Sequence, residues 1–164
     1  MGTPLIARCV VTIAVASAFT LGPACAKQLT ICGEKLEYEP VSADAQTQSL
    51  GRDLAGIWMG DLIAHNNAYS VDYQRCIAFA IEGVHSNGKV IAKFVSGSLA
   101  KNITMGTSFG SKPVVRQWNG QLSGTTLRFE SKNTVYELQL TQPTKMQGRY
   151  SGSVDTGRAW LTKQ

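Results

Sequence analysis

Short runs of alternating apolar and polar residues, separated by turn residues, fill the chain from Gly56 to its end. The clearest run is 135–141, in which Tyr136, Leu138 and Leu140 lie on one face of an extended segment and polar residues occupy most of the other. A period of two residues predicts β-strands, and no stretch between the runs has the period of a helix. Because parallel strands need long, usually helical crossovers, about eight antiparallel strands are predicted.

Residues 51–164 are therefore predicted to form an all-β domain, an antiparallel meander of about eight strands. Two Asn-Gly pairs, Asn87-Gly88 and Asn119-Gly120, predict hairpin turns, since both residues tolerate the positive φ of a type I′ turn. Such a meander either closes into a small barrel or folds as a two-sheet sandwich. We favour the barrel, because closure removes exposed sheet edges.

The first 26 residues have the pattern of a secretory signal peptide. Arg8 precedes an apolar run from Cys9 to Leu21, and Ala24-Cys25-Ala26 places small residues at −3 and −1. The run is too short to span a bilayer, so no transmembrane segment is expected. Cleavage before Lys27 would give a periplasmic or secreted protein. The alternative is a lipoprotein anchored through Cys25, because residues 21–25 resemble a lipobox.

Cleavage at this point leaves two cysteines, Cys32 and Cys76. In an oxidising compartment two lone cysteines predict one disulfide, and neither has the C-x-x-C spacing of a redox or metal site. Residues 27–50 are predicted to be an N-terminal arm and linker with one short strand. The disulfide would tie this arm to the barrel.

A tripeptide at the start of the predicted barrel resembles a known family. Gly56-Ile57-Trp58, preceded by a short turn, is similar to the opening of the calycin superfamily, which includes lipocalins and avidin-like proteins. The resemblance implies that Trp58 lies where the barrel closes and that a cation from the last strand, here Arg158, packs over its ring. It implies no particular ligand. The layout of an arm before a small barrel is also similar to that of periplasmic protease inhibitors.

Aromatic residues on the inward parity of their strands are the candidate ligand-binding set. They are Trp58, Phe94, Tyr136 and Tyr150. The alternative is that these side chains fill the interior of a small barrel and leave no cavity. Trp118 and Trp160 have no clear parity, and they are predicted partner contacts if they face outward.

Charge divides unevenly along the chain. Residues 27–88 hold four Lys/Arg against eight Asp/Glu, a net of −4, whereas residues 89–164 hold eleven against three, a net of +8. A basic side favours an anionic partner, such as an envelope lipid, an acidic glycan or an acidic protein face. Nucleic acid is not expected, because no cluster interleaves basic and aromatic residues.

The sequence lacks the usual signatures of an enzyme. G-x-S-x-G, H-E-x-x-H and P-loop motifs are absent. His65 and His85 fall in predicted turns, and Asp61 and Glu82 are interpreted as surface charges of strands. We therefore predict no catalytic residues, no metal and no cofactor.

The leading hypothesis is an exported binding module that holds a small apolar ligand in its mouth or a macromolecular partner on its rim or basic side. The alternative is an inhibitor of an extracytoplasmic hydrolase that inserts residues 27–50.

Overall fold

The computed structural model describes residues 27–39 and 50–164. It consists of eleven strands and one short helix: β1 (Lys27–Ile31), β2 (Glu34–Tyr38), α1 (Leu50–Leu54), β3 (Gly56–Asn66), β4 (Val71–Val84), β5 (Lys89–Asn102), β6 (Ser108–Gly110), β7 (Val114–Ser123), β8 (Thr126–Ser131), β9 (Thr134–Gln142), β10 (Lys145–Ser151) and β11 (Asp155–Lys163).

Eight of these strands form a closed antiparallel barrel. The order around it is β3-β4-β5-β7-β8-β9-β10-β11, and β11 returns to pair with β3 from Asp155↔Asn66 to Lys163↔Trp58. The three-residue strand β6 adds to the upper end of β5. The predicted meander barrel is therefore confirmed, and the sandwich alternative is wrong, because first and last strands are hydrogen-bonded to each other.

Alternation along each strand explains why the sheet closes. On β3, Trp58, Leu62 and Ala64 point inward and are buried, while Asp61 points outward and is exposed. Closing the sheet buries one apolar face completely and leaves no long unpaired edge within the barrel. The inward face of the other barrel strands carries the same kind of side chain, including Phe79, Phe94, Trp118, Phe129 and Leu138.

The predicted arm contains two strands rather than one. Strands β1 and β2 pair as a hairpin, with Lys27↔Tyr38 at its open end. Cys32 and Gly33 form its two-residue turn, and both have positive φ, 54° and 83°. These are the signs that a type I′ turn requires, which matches the twist of paired strands. Cysteine is uncommon in such a turn, so Cys32-Gly33 was not predicted to be a hairpin turn.

The hairpin packs on the outer wall of the barrel. Three of its side chains, Ile31, Leu36 and Tyr38, form a second apolar cluster with wall residues of β4 and β5: Ala78, Ala80 and Val95. The Tyr38 hydroxyl also donates a hydrogen bond to the Ile81 carbonyl, at 3.3 Å. Small wall residues at these outward positions leave room for the larger hairpin side chains.

A disulfide fixes the hairpin turn to the wall. Cys32 and Cys76 are bonded, with their Cα atoms 5.5 Å apart, as predicted. The turn lies close over Gly97 of β5, where an added Cβ would come within 2.8 Å of the Cys32 carbonyl oxygen. Glycine at this position therefore permits the close approach.

Glu82 was expected on the surface, but it is buried between the barrel wall and the hairpin. Its carboxylate pairs with Lys93 Nζ at 3.0 Å, and Lys93 also donates to the Glu37 carbonyl of the hairpin. Strand parity placed Glu82 correctly on the outward face, but that face is covered by a second layer. The ion pair with Lys93 offsets the desolvation cost of burying the Glu82 carboxylate.

The two Asn-Gly pairs have different outcomes. Asn87-Gly88 does connect β4 to β5, but only Gly88 has positive φ, and Asn87 instead accepts a hydrogen bond from the Lys89 amide. Asn119-Gly120 is not a turn: it lies inside β7 and pairs with β5 and β8. An added Cβ at Gly120 would lie 2.7 Å from the Phe129 ring, so this glycine makes space for a core aromatic.

Within residues 27–39 and 50–164, α1 is the only helix, and it is not long and apolar enough to cross a membrane. The predicted signal peptide, and Cys25 as a lipid anchor, lie outside the described residues.

Candidate functional site

The two ends of the barrel interior differ. At the lower end, where α1 and the β4–β5 turn lie, aromatic rings fill the interior. Phe79 stacks on Phe129 with ring centroids 4.7 Å apart and contacts Phe94 at 5.1 Å, and Trp118 contacts Phe94 at 5.2 Å. Such contacts stabilise a core beyond the area they bury. The upper end, bounded by the β3–β4, β8–β9 and β10–β11 turns and the β5–β7 loop, is open.

A cavity of about 530 Å³ occupies this upper end. The volume lies in the range of small-molecule binding sites. Its walls come from β3, β4, β5, β7, β9, β10 and β11 and from the loops around the mouth. The lining residues are Leu62, Asn66, Tyr69, Val71, Tyr73, Arg75, Phe94, Ser96, Asn102, Phe109, Val114, Arg116, Thr134, Tyr136, Tyr150 and Asp155.

The cavity floor is aromatic. Phe94 and Tyr136 lie 5.5 Å apart between ring centroids, and Tyr136 and Tyr150 lie 4.8 Å apart. These rings continue the aromatic core upward, so the solid lower half supports the floor.

Two guanidinium groups flank this floor. Arg75 lies 5.4 Å from the centre of the Tyr73 ring, and its Nη1 donates to Ser96 Oγ at 3.4 Å. Arg116 lies over the Trp118 ring at 4.6 Å. Both distances lie within the range of cation–π attraction, which favours these positions of the two guanidinium groups.

The acidic residue of the cavity lining is Asp155. Tyr73 donates its hydroxyl hydrogen to Asp155 Oδ2 at 3.0 Å. Among the described residues, neither the buried Oδ1 of Asp155 nor the buried Nε of Arg75 has a hydrogen-bond partner. An unsatisfied buried polar atom costs roughly 1–3 kcal/mol, so the site retains polar capacity that the fold itself does not use.

Burial controls the state of the three cavity tyrosines. Desolvation is the main cause that raises the pKa of Tyr73, Tyr136 and Tyr150 above the usual value of 10.0, and the neighbouring acidic groups raise it further. All three phenols are therefore neutral at physiological pH, and the Tyr73 hydroxyl already uses its hydrogen in the bond to Asp155.

These pKa shifts predict loss of stability at high pH. Below about pH 10 the phenols are protonated in both the folded and the unfolded chain, so they contribute no pH dependence. Above it the unfolded chain loses protons that the folded chain keeps, and the free energy of unfolding falls by roughly 1.4 kcal/mol per pH unit for each such group. Denaturant unfolding at a series of alkaline pH values measures this slope.

We expect Tyr136→Phe to reduce the alkaline slope, because Tyr136 is the most deeply buried of the three. Tyr69→Phe, at an exposed turn, is the matched control and leaves the slope unchanged. An identical slope in wild type and Tyr136→Phe would contradict the assignment.

Three of the four predicted ligand-binding residues, Phe94, Tyr136 and Tyr150, line the cavity. Trp58 does not: it is fully buried at the lower end, and its indole N–H donates to the Leu54 carbonyl at 2.8 Å. Parity correctly placed Trp58 inward but gave no information on its depth along the barrel axis.

The cation over Trp58 is Lys163, not Arg158. Lys163 Nζ lies 5.6 Å from the ring centre and donates to the Asp53 carbonyl. Arg158 is exposed on the outer wall, and its Cα partner on β3 is Ile63, five residues beyond Trp58. The closing role predicted for Arg158 is therefore wrong, because the register of β11 on β3 brings Lys163 to that end.

The two tryptophans of unclear parity lie on different faces of the sheet, one buried and one exposed. Trp118 is buried, and its indole N–H donates to the Glu130 carbonyl at 3.0 Å, so the predicted partner contact there is wrong. Trp160 is 44% exposed on the outer wall, beside a shallow depression that also includes Arg149 and Arg158. Trp160 therefore meets the condition that it face outward, and its role in partner binding stays a prediction.

Two polar residues of the cavity, Tyr73 and Arg75, were not predicted, because β4 begins at Val71 rather than near Cys76. Tyr73 and Arg75 share the inward parity of Ile77 and Phe79, apart from one bulge between Arg75 and Ile77. Arg116 is likewise two residues before the inward Trp118. For Tyr73 and Arg75, the sequence pattern that indicated an inward position was the alternation of β4, which extends back to Val71.

The histidines and carboxylates considered as candidate catalytic groups do not meet in the cavity. His65 Nδ1 lies 2.9 Å from Asp72 Oδ1 on the outer side of the β3–β4 hairpin, and Asp61 is exposed on the outer wall. In the described part of the chain, no three His, Cys, Asp or Glu side chains are grouped as a metal site would require.

Comparisons with known proteins give a likeness of overall shape. No family model matches the chain, and no curated protein does. Among solved structures, a de novo designed fluorescence-activating β-barrel is similar, with 15% identity and a TM-score of 0.42, over 74% of this chain and 100% of that chain. Membership of the calycin superfamily is not confirmed by these comparisons.

Proposed function

We propose that this protein is a non-catalytic binding module whose barrel mouth holds one small amphipathic molecule with a flat apolar body and an anionic group. The observation that carries the proposal is a cavity of about 530 Å³ in which two guanidinium groups flank an aromatic floor. Apolar pockets with a few convergent polar groups are the usual form of a small-molecule site.

The charge of the cavity favours an anion. Arg75 and Arg116 outnumber the single carboxylate, Asp155, which already accepts a hydrogen bond from Tyr73. Guanidinium N–H groups bind carboxylates and sulfonates through charge-assisted hydrogen bonds. The neutral phenols add donors, and Asp155 Oδ1 would accept a hydroxyl or amine hydrogen from the ligand.

A non-catalytic role is supported by the state of these groups. The tyrosine hydroxyls are held neutral by burial, so they do not serve as bases near neutral pH. The inhibitor alternative has less support, because the apolar side chains of residues 27–39 face the barrel wall and the disulfide holds their turn. That disulfide is compatible with an oxidising, extracytoplasmic compartment.

Anilinonaphthalene sulfonate, a flat aromatic anion whose fluorescence rises in apolar sites, is the probe that tests the proposal. We expect one binding site in the folded wild type. Arg75→Gln and Arg116→Gln should each weaken binding about tenfold or more, because each removes a charge-assisted hydrogen bond. Fluorescence titration measures the affinities, and thermal unfolding verifies that each variant is folded.

The matched control is Arg149→Gln, which makes the same chemical change on the outer wall, where the residue is exposed and outside the cavity. Its affinity for the probe should equal that of the wild type. Equal weakening in all three variants, or binding that no variant changes, would exclude the barrel mouth as the site.

A further inference from the structure

Large apolar side chains are exposed around the cavity mouth. Tyr69 is 81% exposed on the β3–β4 turn, and Met105 is 73% exposed on the neighbouring β5–β6 connection. Single exposed apolar residues are ordinary, but a cluster marks an interaction surface. The set, here called the mouth rim, is Tyr69, Leu99, Ile103, Met105, Phe109 and Val154.

The mouth rim is held in place by backbone hydrogen bonds between its turns. The Asn67 amide donates to the Val154 carbonyl at 2.8 Å, and the Ile103 amide donates to the Asp72 carbonyl at 2.9 Å. The Met105 amide donates to Asn102 Oδ1, also at 2.9 Å. These bonds link the β3–β4, β5–β6 and β10–β11 connections, which carry Tyr69, Ile103, Met105 and Val154.

Lysines are interleaved with this rim. Lys101, Lys112 and Lys132 are exposed on the upper part of β5, the β6–β7 loop and the β8–β9 turn. The exposed carboxylates at this end include Asp72, which pairs with His65, and Glu130, which pairs with Arg128. Apolar and aromatic groups mixed with lysines are typical of segments that enter the interface of an anionic bilayer. Protein interfaces differ, since their cores are depleted of lysine.

We propose that the mouth rim docks on the surface of an anionic lipid bilayer, with the cavity opening toward the membrane. Tyr69 and Phe109 belong both to the rim and to the cavity lining, so the docked surface is continuous with the cavity. Resting on the proposed function, this docking gives a route by which an amphipathic anion that partitions into a membrane enters the barrel without crossing water.

Flotation with phosphatidylcholine vesicles, with and without phosphatidylglycerol, tests the docking. We expect the wild type to bind vesicles that contain phosphatidylglycerol and to bind pure phosphatidylcholine much more weakly. The double variant Ile103→Ser/Met105→Ser, at two rim positions outside the cavity lining, should bind the anionic vesicles at least about tenfold more weakly, because it removes two large apolar groups from the contact. Both positions are exposed, so the variant should fold normally.

Trp160→Ser is the matched control, because it removes an exposed aromatic side chain from the outer wall. It should bind vesicles as the wild type does. The docking proposal is overturned if wild type ignores anionic vesicles, if Trp160→Ser loses as much binding as the double variant, or if the rim instead mediates self-association that the double variant abolishes.

Different experimental results would contradict the proposed function and the proposed docking. Arg116→Gln should weaken anilinonaphthalene sulfonate binding and keep vesicle binding, whereas the rim variant should do the reverse. Vesicle binding by a wild type that does not bind the probe would overturn the proposed function alone. Probe binding without vesicle binding would overturn the docking alone.

Discussion

Phe79→Ala should lower the free energy of unfolding by about 4 kcal/mol, among the largest effects of any single substitution in this protein. Phe79 is fully buried, and its ring contacts Phe94, Trp118, Phe129 and Tyr136. Removing the ring loses its transfer free energy and leaves a void that rigid aromatic neighbours cannot close. Urea unfolding followed by near-ultraviolet circular dichroism measures the change.

Phe109→Ala is the matched control for this prediction. It deletes the same group at the partly exposed mouth rim, where Phe109 contacts only Tyr73 among the aromatic rings of the described residues. We expect a loss below about 1 kcal/mol. Similar losses in both variants would contradict the division of the barrel into a solid lower half and an open upper half.

Reduction of the Cys32–Cys76 disulfide should lower the free energy of unfolding by about 2 to 4 kcal/mol. The bond joins residues separated by 44 positions, and loss of such a cross-link restores conformational entropy to the unfolded chain, with about 4 kcal/mol as the upper value. Thermal unfolding with and without a reductant measures the effect.

The barrel should remain closed after reduction, because its ladder of strands is complete without β1 and β2. The near-ultraviolet signal of the aromatic core should therefore persist at low temperature. A Cys32→Ser/Cys76→Ser variant is the control: it should match the reduced wild type and show no response to reductant. Sensitivity of that variant to reductant would mean that the effect does not come from this bond.

These two predictions concern the support of the candidate site. The aromatic core holds the cavity floor from below, since Phe94 and Tyr136 contact Phe79 directly. The hairpin instead covers the outer wall of β4 and β5, the strands that carry Arg75 and Phe94. Loss of either support should destabilise the protein, but only loss of the core should reshape the floor of the cavity.

Local patterns predicted strands well and turns unevenly. Alternation on β3 and β9 gave the correct inward face, because one side of each strand is buried in the barrel. The Asn-Gly rule failed at Asn119-Gly120, where glycine is needed for the bulk of Phe129 on the neighbouring strand. The hairpin at Cys32-Gly33 gave no familiar turn signal, so only one strand was predicted in the arm.

The candidate site was half predictable for a similar reason. Inward parity identified Phe94, Tyr136 and Tyr150 as residues that face the interior. Parity does not tell how far along the barrel axis a side chain lies, so Trp58 was grouped with them although it lies at the other end. Arg75 and Arg116 have inward parity too, yet charged residues at inward positions are expected only where a barrel is open. Their role becomes visible once the solid and open halves are known.

By itself, the sequence predicted an antiparallel β-meander with a barrel favoured over a sandwich, the inward face of most strands, and one disulfide between Cys32 and Cys76. These follow from a period of two residues and from cysteine number, both local properties. The tertiary structure decided the register of β11 on β3, which brings Lys163 rather than Arg158 to Trp58, and the height at which the aromatic core ends. Register and height depend on how all eight strands are staggered around the closed barrel, and no single strand contains that information.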